Sequence, residues 1–248
     1  MSKIREAFAK KDAFIPFITA GDPSLDKTIE YILELEKAGA ALIELGIPFS
    51  DPIAEGPVVQ AANVRALANG CTTDQVFEMV EKLRKQTNIP VVFQAYLNQV
   101  FKYGTDRFCA RCQEAGVDGI IIPDMPFEEK EEVKEFAKKY GVDLISIIVP
   151  APQERVEKIA KDATGYIYLA TALGETDNRA DIKELTAQIR SVTDVPIAIG
   201  LGASNHQGVQ DALKYADGFI VNATIVKIIG KCGANAHVTI RDFVKNLL

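Results

Sequence analysis

The stretch QEAGVDGIII, residues 113–122, compresses a helix end, a glycine turn and a short buried strand into one run, and it recurs. EKAGAALIEL (36–45), KDATGYIYL (161–169) and KYADGFIV (214–221) follow the same grammar: helix end, then Gly, Thr or Ala with a small or acidic residue, then strand. Between them lie four strands with another entrance, DAFIPFIT (12–19), TNIPVVFQ (87–94), YGVDLISI (140–147) and TDVPIAIG (193–200). Self-similarity at a regular spacing is the mark of a repeated supersecondary unit.

Each strand is a near-continuous run of Ile, Val, Leu, Phe and Ala, as expected where both faces of a parallel sheet are covered. The stretches between them, LDKTIEYILELEKAG (25–39), TDQVFEMVEKLRKQ (73–86), EEKEEVKEFAKKYG (128–141) and ADIKELTAQIRSV (180–192), place apolar residues at i, i+3, i+4 with charge opposite. HVTIRDFVKNLL (237–248) reads as a last amphipathic helix. Eight strands with helical crossovers fit a doubly wound sheet or a closed barrel. No glycine fingerprint follows the first strand, so the expected fold is α/β, a (β/α)8 TIM barrel, with residues 1–248 as one domain.

Composition narrows the chemistry. The 248 residues carry a net charge of −6 with both signs interspersed, which leaves no basic stripe for nucleic acid and no polybasic arm for a membrane. No run approaches the roughly 18 apolar residues of a membrane span, and the cytoplasm is the expected compartment. Four cysteines, Cys71, Cys109, Cys112 and Cys232, are too sparse for a disulfide scaffold. Cys109 and Cys112 form a CxxC inside a helical pattern and read as packing; with only His206 and His237 available, no metal site is expected.

In a barrel of this kind chemistry sits in the loops after the strands. The polar residues there are Asp22; Glu44 with Ser50, Asp51 and Glu55; Tyr96 and Asn98; Asp124; Tyr168 with Thr171, Glu175, Thr176 and Asp177; Gly200, Gly202 and Ser204; and Asn222, Ala223 and Thr224. Glu44 stands out because a carboxylate inside ALIELGIPF is costly unless paired or put to use. Burial raises its pKa toward the range of a general acid/base. The loop beyond it, IPFSDPIAEGP, is long for a compact barrel and carries Glu55, a second carboxylate.

FIPFITAGDPS (14–24), IELGIPFSDPIAEGPVVQAANVRAL (43–67), YLNQVFKYG (96–104), GVDGIIIPDMP (116–126) and TIVKII (224–229) together resemble the tryptophan synthase α subunit family, in register from end to end. The resemblance implies a lyase that cleaves indole-3-glycerol phosphate to indole and glyceraldehyde 3-phosphate in tryptophan biosynthesis. It implies no cofactor in this chain, and a β subunit carrying pyridoxal phosphate as partner in an αββα assembly. Carried over by position, Glu44 is the general acid/base, Glu55 binds the indole N–H, and Tyr168 is the active-site tyrosine. Phe17 and Tyr96 wall the ring pocket, and Asp51 with Pro52 meets the β subunit. Thr176, Gly200, Gly202, Ser204, Asn222 and Ala223 lie on the loops that bind the substrate phosphate.

Three features depart from the family pattern. The loop after the sixth strand reads GETDNR, with Glu175 and Asp177 in place of uncharged residues. Asn222 and Ala223 stand where the family has Gly and Ser, and Gln94 faces the expected indole pocket where an apolar residue is expected. These keep two alternatives open: a paralogue using the same carboxylates on another, unphosphorylated ligand, and a non-catalytic subunit that activates a β-type partner.

Overall fold

The computed structural model describes residues 2–9, 12–170, 179–201 and 205–248. Its strands are β1 Ala13–Thr19, β2 Ile43–Gly46, β3 Val91–Gln94, β4 Gly119–Ile121, β5 Asp143–Leu144, β6 Ser146–Ile148, β7 Ile167–Leu169, β8 Ile197–Leu201 and β9 Gly218–Val221. All pairings are parallel, in the order β5-β4-β3-β2-β1-β9-β8-β7-β6.

The two ends of that order are halves of one extended stretch. β5 pairs with β4 and β6 pairs with β7, and only Ile145 separates them. Across the break the Ile145 N–H still donates to the Ile120 carbonyl at 2.9 Å. The sheet therefore returns on itself, and eight staves form a barrel as the repeat grammar expects; the fifth is divided because the ladder changes partner at Ile145.

Side chains alternate across the wall, as the two-residue period of a strand requires. Ala13, Ile15, Leu42, Val92, Ile121, Ile145, Tyr166, Ala198 and Ile220 fill the interior. Phe14, Ile18, Ile43, Leu45, Val91, Phe93 and Ile120 point outward into the helical layer. Thr72 caps the helix Thr73–Leu83 through a reciprocal pair with Gln75, and Ser24 caps Leu25–Lys37. Cys109 and Cys112 are buried in the helix Thr105–Ala115, where burial pushes both thiols up.

Several helices have no counterpart in the sequence reading, among them Pro57–Ala68, Leu97–Tyr103, Gln153–Lys161 and Lys3–Ala7. The helix Lys3–Ala7 closes the floor of the barrel, and its Ile4 and the following Phe8 join the interior cluster. The Phe8 ring lies 5.5 Å from that of Tyr166. Two inward glycines make room for this plug: a Cβ at Gly119 would stand 2.9 Å from Ile4 Cδ1, and one at Gly218 would stand 3.0 Å from Phe8 Cε1.

Candidate active site

β2 places Glu44 on the interior face, in register with Phe17 of β1 and Val92 of β3. The carboxyl is fully buried. Its Oε1 accepts a hydrogen bond from the Tyr166 hydroxyl, while Oε2 is buried with no hydrogen-bond partner. Burial raises the Glu44 pKa to about 8; the Tyr166 donor opposes that rise and the charge of Glu55 adds to it. Near neutral pH the group is thus mainly a carboxylic acid, with one oxygen anchored and the other without a partner.

Glu55 arrives from the loop between β2 and the helix Pro57–Ala68, which begins with Gly56 at its cap and Pro57 in its first turn. Four contacts shape that loop. The Phe49 N–H donates to Asn63 Oδ1 at 2.8 Å, Gln99 Nε2 donates to the Pro48 carbonyl at 2.9 Å, and the Ala54 N–H donates to the Tyr96 hydroxyl at 3.0 Å. The Phe49 and Tyr96 rings stack at 5.1 Å. The Glu55 carboxylate accepts a hydrogen bond from Gln94 Nε2. Burial raises the pKa of Glu55, and the Gln94 donor opposes it.

Tyr168 lies one interior position above Tyr166 on β7 and feels both carboxylates; burial first, then Glu44 and Glu55, raise its pKa, so the phenol keeps its proton. A Cβ at Gly200 would stand 2.8 Å from the Tyr168 hydroxyl, so Gly200 serves to admit this ring. Phe17 is buried against Val59, Ala62 and Val226, and a Cβ at Gly46 would stand 2.7 Å from its ring. Phe17, Glu44, Gly46 and Gln94 therefore meet across neighbouring staves.

The rim residues divide. Asp22 is buried in a two-pronged ion pair with Arg65, at 2.9 and 2.7 Å, and Asp124 accepts the Leu97 N–H at 2.8 Å; both are engaged in holding loops. Tyr96 does the same through Ala54 and is largely buried. Asn222 heads the helix Ala223–Cys232 without a side-chain cap, and its Oδ1 is buried with no hydrogen-bond partner. Asp51 is exposed, Pro52 is half-buried and Ile53 beside them is 79% exposed. Thr171, Glu175, Thr176, Asp177, Gly202 and Ser204 fall outside the described residues. Among the described residues no group of three or more His, Cys, Asp and Glu could hold a metal ion, and no helix is long and apolar enough to cross a membrane.

Tyr166, Asn63 and Gln99 escape the sequence reading. Tyr166 was within reach: in GYIYL it lies two residues from Tyr168, hence on the same face of the strand. Asn63 and Gln99 carry no such signal, because each acts on a loop distant in sequence.

The family model described as tryptophan synthase alpha chain matches residues 4–247. The tryptophan synthase alpha chain of Lacticaseibacillus casei is 45% identical over 251 aligned positions, covering 100% of this chain and 94% of that protein. The alpha chain of Alkaliphilus metalliredigens is 44% identical, covering 88% and 83%. Among solved structures, the tryptophan synthase α subunit of Pyrococcus furiosus superposes with a TM-score of 0.89 at 35% identity, covering 96% of this chain and 98% of that one. A second, from work on mutual activation of the α2β2 complex of the same organism, gives a TM-score of 0.89 at 34% identity, with the same coverage. With a buried acid, a second carboxylate and a tyrosine gathered at the strand ends, and with similarity running the length of the chain, this protein belongs to the tryptophan synthase alpha chain family.

Proposed function

We propose that the chain is a lyase of tryptophan biosynthesis that cleaves indole-3-glycerol phosphate to indole and glyceraldehyde 3-phosphate by a retro-aldol reaction. The observation that carries this reading is Glu44: a carboxyl held near pKa 8, anchored through Oε1 by Tyr166, with Oε2 unpartnered. Cleavage needs a proton delivered to the indole ring carbon that bears the glycerol chain and a proton removed from the adjacent glycerol hydroxyl. Glu44 delivers the first from its acid form and, as the carboxylate left behind, accepts the second, so the catalyst returns to its starting state. Positive charge develops on the indole nitrogen between these steps. Glu55 binds the N–H and stabilises that charge, and because burial makes both charges costly the stabilisation is larger than it would be in water. Tyr168 fixes the substrate as a neutral donor, with Phe17 and Tyr96 closing the ring pocket.

Backbone amides around Gly200 and at the head of the helix Ala223–Cys232 receive the phosphate, together with Thr176, Gly202 and Ser204 of the loops above. The chain needs no cofactor of its own. It works in the cytoplasm in an αββα assembly with a β subunit that holds pyridoxal phosphate, meeting it through Asp51 and Pro52. The unpartnered Asn222 acceptor at the phosphate end favours a second reading, a paralogue for an unphosphorylated ligand.

The deciding experiment incubates the purified chain with indole-3-glycerol phosphate and measures released indole, with calorimetric titration of glycerol phosphate alongside. Slow indole release that Glu44→Gln abolishes, in a variant that stays folded, is the expected result. A folded, fully active Glu44→Gln contradicts the role of Glu44. Absence of binding to either phosphate compound favours the paralogue.

A further inference from the structure

Glu44 and Glu55 are held in different ways. Glu44 is part of a barrel strand, whereas Glu55 sits on a loop whose residues 53 and 54 are exposed. Among the described residues the backbone at Glu55 makes only local bonds: its N–H donates to the Pro52 carbonyl at 3.0 Å, and its carbonyl accepts Gln60 Nε2 at 2.8 Å. A carboxylate on such a support sweeps through several rotamers unless something grips the side chain itself.

Gln94 is the side chain that grips it. It closes β3, pairing in register with Gly46 on one side and Ile121 on the other, and is only 9% exposed. A polar residue at an interior position of a barrel wall is expensive unless its hydrogen bonds are made. Its Nε2 donates to Glu55 Oε1. Glycine at position 46 leaves the neighbouring interior position of β2 without a side chain.

We infer that Gln94 is a positioning residue: from the rigid barrel wall its amide clamps one oxygen of the loop-borne Glu55, leaving the other for the substrate. The inference rests on the lyase reading for what Glu55 does, but the clamp itself is a property of the two side chains. An N–H donor to a carboxylate favours the ionised form, and ionised is the form that can stabilise a cationic ring. Removing the amide while keeping the volume therefore has two separable effects. Glu55 loses its fixed direction, and it takes up a proton at higher pH.

The test uses Gln94→Met, which keeps the length and apolar bulk of the side chain without its donor, and Gln94→Leu as a second variant. Glu55 ionisation is followed by carbon NMR of the full chain labelled at glutamate carboxyls, with the Glu55 signal assigned by its loss in Glu55→Gln. Both variants are expected to raise the Glu55 midpoint by about one unit, the order expected for losing one hydrogen bond to a charged group. In parallel, the acid limb of kcat/KM for indole release moves up by the same amount, so below the parent's midpoint activity falls about tenfold beyond whatever fall the lost direction causes on the plateau. Thermal unfolding serves as the folding control. A Glu55 midpoint that stays put in both folded variants overturns the inference, as does a pH profile that is only scaled down. If the unaltered chain releases no indole but the NMR midpoint moves, the lyase reading falls and the clamp stands. If indole is released and the midpoint does not move, the clamp falls and the lyase reading stands.

Discussion

Glu44 is both the most informative residue of this chain and an unfavourable one to fold. Burial holds its pKa near 8 against an ordinary value of 4.5, so between those limits the unfolded chain is ionised while the folded chain keeps the proton. Folding takes up a proton there, and this residue's contribution to stability is complete below pH 4.5 and is lost as pH rises through about 8. Glu44→Gln removes the penalty and keeps an acceptor for Tyr166. The variant is expected to match the parent near pH 4 and to exceed it at pH 8 by on the order of 3 to 5 kcal/mol, read from urea unfolding at the two pH values. Equal gains at both would show that the carboxyl is not held protonated. Glu44 was legible in sequence because a charge inside ALIELGIPF has no cheap explanation. Tyr166 was hidden for the opposite reason, since an aromatic residue in an apolar strand is ordinary core until its hydroxyl partner is known. Gln94 was visible only as an oddity, because its partner lies 39 positions away on a loop.

At the scale of elements, β3 and β8 begin at Val91 and Ile197, later than the stretches 87–94 and 193–200 imply, but the position and order of the strands were legible, since a parallel barrel buries both faces of each strand and writes them as apolar runs. The break at Ile145 was not, because a ladder changing partner leaves the run of Leu144, Ile145, Ser146 and Ile147 unaltered in character. The floor helix Lys3–Ala7 was missed because it is short and carries only a few apolar residues. Its importance comes from where Ile4 and Phe8 land. Phe8 packs on Tyr166, and Tyr166 holds Glu44, so the floor supports the acid from below. Phe8→Ala is expected to cost about 3 kcal/mol, at the low end for truncating a buried aromatic residue, measured by chemical denaturation. A loss under about 0.5 kcal/mol would mean the plug contributes little packing.

For the whole molecule, the open end of the barrel is the place to look for a partner. Ile53 is 79% exposed beside Asp51 and Pro52, and Phe101 on the helix Leu97–Tyr103 is 43% exposed. Isolated apolar residues on a surface are common, but these two belong to the segments that follow β2 and β3, next to each other in the barrel. Mixing the chain with a family β subunit is expected to accelerate indole release, and Ile53→Asp to weaken that complex in sedimentation while leaving the isolated chain folded. A complex of unchanged affinity would move the contact elsewhere.

The sealed floor has a further consequence. Among the described residues Ile4 and Phe8 fill one end of the interior, so a ligand and the two fragments made from it use the opposite end as their doorway. Traffic is then decided by whatever stands at that doorway. A neighbour seated there can receive one fragment without the site being altered, so the fold lends itself to handing a small molecule directly to the next enzyme.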